Sequence, residues 1–329
     1  MSETPAAVDA TFFRVPLALL EPGELLPCDI WLPRRDADPV RWRDARLPFD
    51  EEHRARLEAS GVRSVLIAFS DADAWNRHLE QRIGRIARRD DIDIDARATV
   101  LVASARTIVR EVLEDPAARE AKRRIDTLAG ALAEFTREPG GFAAVVRLFE
   151  HDYYTYTHSV HVAVYATALA AATGTEDPAS LRAIARAAAM HDAGKVCVPS
   201  EVLNRRGPLD ERDWELIRAH PAEGRRLLEQ AGWSDPLLLE TVELHHERMD
   251  GSGYPHGLSG EDIPHVSRIV MIADAYDAMT SDRAYKKALP GVRALEILRR
   301  DECARYDQEL VTRFIRTLYD PREIAVRRR

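Results

Sequence analysis

The stretch AAAMHDAGK, Ala187–Lys195, places a histidine and an aspartate at the end of an alanine-rich run. Alanine is the strongest helix former, so the run predicts a helix, and Gly194 predicts its C-terminal stop. An imidazole and a carboxylate then stand together at a helix end and face a common point. A carboxylate has two oxygens and can bridge two metal ions, with imidazoles in the outer positions on each. The dipeptide gains weight from its surroundings: His220 beside Pro221, the adjacent pair His245 and His246, and Asp274 inside the apolar run IVMIADAYDAM, Ile269–Met279. An unpaired carboxylate buried in such a run is costly, and a metal ion would satisfy it.

The chain has eleven histidines, and seven of them lie between residues 151 and 246. A lone histidine at a helix end is more often structural than a ligand. His53, His78, His256 and His265 are read that way. His161, one helical turn from His158, is read as lying behind the ligands or at the surface.

Periodicity places these residues in a mainly α protein. From about residue 97 onward apolar residues recur every three or four positions. The pattern predicts helices near 142–150, 155–173, 178–192, 210–231, 236–246, 264–281 and 290–318. Before it, FFRVPLALLEPGELLPCDIWLP reads as strands and turns. PFDEEHRARLEASGVRSVLIAF reads as a helix stopped at Gly61, then a buried strand, Val65–Phe69. The run RRDDIDID reads as a solvated linker. The expected organisation is a small α/β N-terminal domain over residues 1–95, a helical connector over 96–140 and an all-helical bundle over 141–329, which the resemblance described below makes one of HD type.

At 329 residues, with 45% apolar and 31% charged residues, the chain can bury a core without staples. Cys28, Cys197 and Cys303 are far apart and form no CxxC pair, which argues against a disulfide framework or a cysteine–zinc site. The net charge of −8 argues against a nucleic-acid polymer as partner. No run approaches the length of a membrane span and the N-terminus does not read as a signal peptide, so a cytoplasmic protein with no membrane contact is expected.

The segments YTYTHSV, HDAGKVCVP, LDERDWELIRAHPAEG, HHERMDGSGYPHGL and IADAYDAMTSDRAY resemble the HD-GYP family, a branch of the HD phosphohydrolase superfamily, in family order over roughly residues 150–290. Residues 11–70 resemble, more loosely, a small domain often found before it. The resemblance implies a cyclic di-GMP phosphodiesterase with seven ligands. His158, His191, Asp192 and Asp274 would hold one ion. Asp192 would bridge to a second, held by His220, His245 and His246. Some family members carry a glutamate that helps to hold a third metal where this chain has Tyr154, so two divalent ions are expected. Imidazole and carboxylate without thiolate suit iron or manganese, with zinc and nickel open, and the resemblance favours non-haem iron.

The implied chemistry is attack on phosphorus by a metal-bridging hydroxide, giving pGpG, with GMP open as a further product. The catalytic residues would be Asp192 and Lys195, and the phosphate contacts Lys195, Arg283 and Lys286. Tyr254, in the tight loop DGSGYP, offers a ring for a base. Arg205 keeps a basic residue where family members often have Lys-Pro-Gly, but the proline is lost. Two other readings stand beside this one: a phosphodiesterase for another cyclic dinucleotide such as cyclic GMP-AMP, and a non-catalytic nucleotide-sensing module that docks a partner such as a diguanylate cyclase through the GYP loop. The N-terminal domain is open to regulation, homodimer formation or packing alone.

Overall fold

The computed structural model describes residues 11–34, 37–151, 155–203, 205, 207–282, 287–300 and 305–319. The chain divides into two compact units, Met1–Val100 and Leu101–Arg329.

The first unit holds strands β1 (Phe12–Pro16), β2 (Glu24–Leu25), β3 (Ile30–Arg34), β4 (Ala37–Arg43) and β5 (Pro48–Phe49), helix α1 (Glu51–Ala59), strand β6 (Ser64–Ala68), helices α2 (Ala72–Glu80) and α3 (Ile83–Ile86), and the start of α4 (Ile94–Glu114). Four strands form an antiparallel sheet in the order β1-β6-β3-β4, and β2 pairs with β5. One face of the sheet (Val15, Ile30, Val65, Ile67) packs on Leu57 of α1 and on Trp75 and Leu79 of α2. Gly61 ends the α1 turn with φ +76°, a conformation open to glycine. The run RRDDIDID is not a solvated linker. Ile92 is buried in this core, and the Asp93 carboxylate accepts the backbone N–H groups of Asp95 and Ala96 at the start of α4. The alternating isoleucines give the charged run an apolar anchor, and the aspartate gives it a helix cap.

The second unit is helical: α5 (Ala121–Arg137), α6 (Gly141–Arg147), α7 (Thr155–Ala172), α8 (Pro178–Met190), α9 (Ser200–Leu203), α10 (Glu211–Gln230), α11 (Pro236–Leu244), α12 (His265–Thr280), α13 (Gly291–Arg300) and α14 (Gln308–Tyr319). Helix α7 is its centre. Every residue from His161 to Ala170 is buried, and α5, α8, α12 and α14 pack around it. A helix that is apolar all round must be covered all round. No helix among the described residues is long and apolar enough to cross a membrane.

The expected single helix over 290–318 is two. Asp307 accepts the backbone N–H groups of Glu309 and Leu310 and so caps the start of α14. An aspartate that takes the free N–H groups of the residues after it starts a new helix rather than continuing an old one.

Candidate metal centre

Five helices deliver the cluster. His158 stands in the first turn of α7, His191 follows α8, His220 lies inside α10, His245 and His246 follow α11, and Asp274 projects from α12. Asp192 joins them. Its Oδ2 lies 3.3 Å from His191 Nε2 and 3.6 Å from His158 Nε2. Its Oδ1 lies 3.3 Å from His220 Nε2 and 3.8 Å from His245 Nε2. One carboxylate thus shows one oxygen to each half of the cluster. Asp274 sits at the side, 3.1 Å from His158 Nε2 and 3.8 Å from His246 Nδ1.

The close approach of the two halves rests on two glycines. The turn Ala193–Cys197 lies on α10, and a Cβ on Gly194 would come within 1.8 Å of the His220 carbonyl oxygen. A Cβ on Gly224 would meet the Gly194 nitrogen at 2.8 Å. Gly194 is therefore not the left-handed helix stop expected of it. It is a glycine because two backbones touch there, and that contact brings Asp192 to His220.

The imidazoles are aimed by what holds their other nitrogen. His191 Nδ1–H donates to the Ala188 carbonyl at 2.7 Å, and His245 Nδ1–H to the Val242 carbonyl at 2.8 Å. Both carbonyls are in last helical turns, where the regular N–H partner four residues on is missing; Ala188 O takes the His191 backbone N–H as well, at a long 3.4 Å. His220 lies mid-helix, where carbonyls are normally taken. Pro221 has no N–H, so the Ile217 carbonyl is left free, and His220 Nδ1–H donates to it at 2.6 Å. Each of these rings therefore carries its hydrogen on Nδ1 and turns the Nε2 lone pair inward. His158 Nδ1–H donates instead to Asp277 Oδ2 at 2.7 Å.

Charge follows geometry. Burial and neighbouring imidazoles hold His245 well below the usual histidine range, and burial does the same to His246. Burial works against ionised Asp192, yet His191 and Lys195 keep it well below the usual carboxylate range. Burial likewise opposes a charged His158, but Asp274 and Asp277 outweigh it and raise the group to about 9.

The donor set fits divalent metal. Ligand atoms of His158, His191 and Asp192 lie within 4.8 Å of one another, as do those of His220, His245 and His246. His158 Nε2, His191 Nε2 and Asp192 Oδ1 are buried with no hydrogen-bond partner among the described residues. Orphaned buried donors of this kind cost free energy unless something binds them. No thiolate is near, so nitrogen and oxygen alone would coordinate.

The other expected site residues fall into three groups. Lys195 and Tyr254 lie at the cluster. Lys195 Nζ donates to Asp192 Oδ2 at 2.6 Å. The Tyr254 ring lies on His246 with centroids 4.8 Å apart, and its N–H donates to the His246 carbonyl at 3.2 Å. Burial, and after it the charge of Asp274, push the Tyr254 phenol up. Arg205 is paired with the buried Asp213 at 2.8 Å. Arg283, Lys286 and Tyr154 lie outside the described residues, as does Cys303.

Three features go beyond the sequence reading. Glu247 is fully buried and accepts the N–H groups of His256 at 2.7 Å and Leu258 at 3.0 Å, which pins the loop carrying Tyr254. Gly253 passes so close that a Cβ would sit 2.4 Å from the Glu247 backbone. Asp277 and His161 form the third feature. Of the two readings of His161, the place behind the ligands holds and the surface does not: it is buried, its ring lies against Phe149, and its Nδ1–H donates to Asp277 Oδ1 at 2.7 Å. Asp277 stands three residues after Asp274 on one helix face, a spacing that could have revealed it.

Residues 143–310 match the HD domain family. A cyclic di-GMP phosphodiesterase of Pseudomonas aeruginosa is 33% identical over 81% of this chain and 61% of its own length. A 3'3'-cGAMP-specific phosphodiesterase of Vibrio cholerae is 28% identical over 71% of this chain and 52% of its own. The chain thus spans less than two thirds of the length of these curated relatives. Among solved structures, a Bdellovibrio bacteriovorus protein described as a HDG"Y"P protein shares the fold, with a TM-score of 0.67, 21% identity, and coverage of 94% of this chain and 99% of that one.

Proposed function

This chain belongs to the HD domain family, in its HD-GYP branch, and from that premise we propose that residues 141–329 hydrolyse cyclic di-GMP to pGpG, with cleavage onward to GMP left open, using two divalent ions. The observation that carries the reading is Asp192, whose two oxygens face two separate histidine groups, with His158 Nε2, His191 Nε2 and its own Oδ1 buried without a hydrogen-bond partner among the described residues. One ion is assigned to His158, His191, Asp192 and Asp274, and the other to Asp192, His220, His245 and His246, with iron first and manganese second. When bound, such ions supply Lewis acidity toward a phosphodiester and acidify a water molecule enough for attack at neutral pH.

The remaining work falls to the chain. Lys195 shares its charge between Asp192 Oδ2 and the incoming phosphate. With Arg283 and Lys286 it would balance the negative charge that builds on phosphorus. The Glu247-pinned loop, with Tyr254 over His246, walls the cleft and offers a ring to a base. Arg205, held by Asp213, lines the mouth.

A second substrate has its own support: a relative over 71% of this chain is named for 3'3'-cGAMP. The test is metal analysis of anaerobically purified protein, followed by turnover of cyclic di-GMP and 3'3'-cGAMP side by side. Faster cleavage of cyclic di-GMP supports the first reading, and the reverse ratio the second. Binding of either nucleotide by metal-loaded protein without cleavage replaces both with the module that docks a partner such as a diguanylate cyclase through the loop.

A further inference from the structure

Four rings turn Nε2 toward Asp192, and each needs an acceptor for its Nδ1 hydrogen. His191, His220 and His245 find one in their own helices, at carbonyls left open by a helix end or by Pro221. His158 cannot. It stands in the first turn of α7, where the carbonyls behind it point into the helix and are taken by the next turn. Its acceptor comes from another helix, as the Asp277 carboxylate of α12. A carboxylate on a freely rotating side chain would aim poorly. This one is gripped at its other oxygen by His161 Nδ1–H, and both residues are buried.

We propose that Asp277 and His161 form a positioning pair that fixes the tautomer and the aim of His158 toward the metal ion of its half of the cluster. Neither residue is a ligand in this assignment. Asp277 is the one side chain, among the described residues, that takes the Nδ1 hydrogen of these four inward-facing rings, so it is the one such acceptor that a substitution can delete outright. The inference rests on the two-ion reading above.

Substitution separates aim from packing. Asp277→Asn keeps the shape but offers one acceptor and one NH2 donor. Turned toward His158, that NH2 forces the imidazole to give up its Nδ1 hydrogen and carry it on Nε2, where it blocks coordination; turned toward His161, it loses the bond that grips this side chain and leaves His158 on a neutral, poorly held acceptor. Mn2+ titration of the chelator-treated full chain by calorimetry reads the effect. Wild type is expected to take two ions. Asp277→Asn should weaken one of them on the order of 10–100-fold and leave the other within about threefold. His161→Gln keeps a donor toward Asp277 and should stay near wild type, whereas His161→Phe removes it and should weaken the same ion by several-fold.

A purely structural role predicts a different pattern, with a lower melting temperature in chelator and both dissociation constants unchanged or shifted together. Either result overturns the proposal. So does an equal dissociation constant in His161→Gln and His161→Phe, which decides the matter even where Asp277→Asn does not fold. Wild-type protein that takes up one Mn2+ or none overturns the two-ion reading, and this inference with it. Two ions in wild type with unchanged binding in Asp277→Asn overturns this inference alone.

Discussion

On one side of Asp192, His220 and His245 are aimed by main-chain carbonyls of their own helices. On the other, His158 is aimed by a carboxylate from a helix more than a hundred residues away in sequence. The first arrangement forms as soon as the helix forms, and no side-chain replacement removes its acceptor. The second exists only after α7 and α12 have packed. His191, in the same half, is also aimed by its own helix, so one imidazole of the cluster depends on tertiary structure for its aim, and the half that contains it should fail differently from the other.

The largest effect should come from the group that belongs to both halves. Asp192→Ala is expected to remove both ions and to lower turnover by at least on the order of 1000-fold, because one carboxylate serves both sides. Elemental analysis checks it, and retention of two ions per chain would show that the bridge is elsewhere. Gly194→Ala comes next. The added methyl meets the His220 carbonyl, so the turn must lift off α10 and the halves must part. Turnover should fall on the order of 100-fold, and denaturant unfolding should show a loss of about 1–3 kcal/mol.

Pro221→Ala sharpens the contrast. It restores an N–H that competes for the Ile217 carbonyl now held by His220. The helix should gain stability, since proline in a helix interior costs up to about 3 kcal/mol. Metal affinity at the His220 half should fall by about tenfold. Mn2+ titration beside metal-free unfolding checks both signs, and a rise in stability with no loss of affinity would remove Pro221 from the design.

The smallest effect concerns protons. In metal-free protein His158 titrates at about 9, above its ordinary 6.5. A raised histidine contributes stability that is fully present below the unfolded value and is lost as pH rises through the folded one. The stability difference between wild type and His158→Gln, measured in chelator, should therefore shrink between about pH 6.5 and 9. A difference that is flat or grows over that window would mean that the carboxylates around His158 do not hold its proton.

The two regions also differ in how far they could be read from sequence. The HD turn, the paired histidines and Asp274 are residue types rarely placed in apolar helices, so their chemistry showed through local pattern. Glu247 and the Asp277–His161 pair did not, because a buried acid reads the same as an exposed one until its partners are known. The 290–318 helix divided at Asp307 and the RRDDIDID run folded into a cap for related reasons. Short-range polar bonds to backbone N–H groups outweighed an average over the window.

Composition and periodicity were enough for a mainly helical chain with a small mixed unit ahead of it, since the spacing of apolar residues is itself the helix signal. Local chemistry was enough for three of the inward-facing histidines, because helix ends and a proline leave carbonyls free wherever they occur. Packing alone decided the rest: that Gly194 touches α10, that the two oxygens of Asp192 face different groups, and that Asp277 reaches His158. Those contacts join residues distant in sequence, and their distances follow from how helices seat on one another.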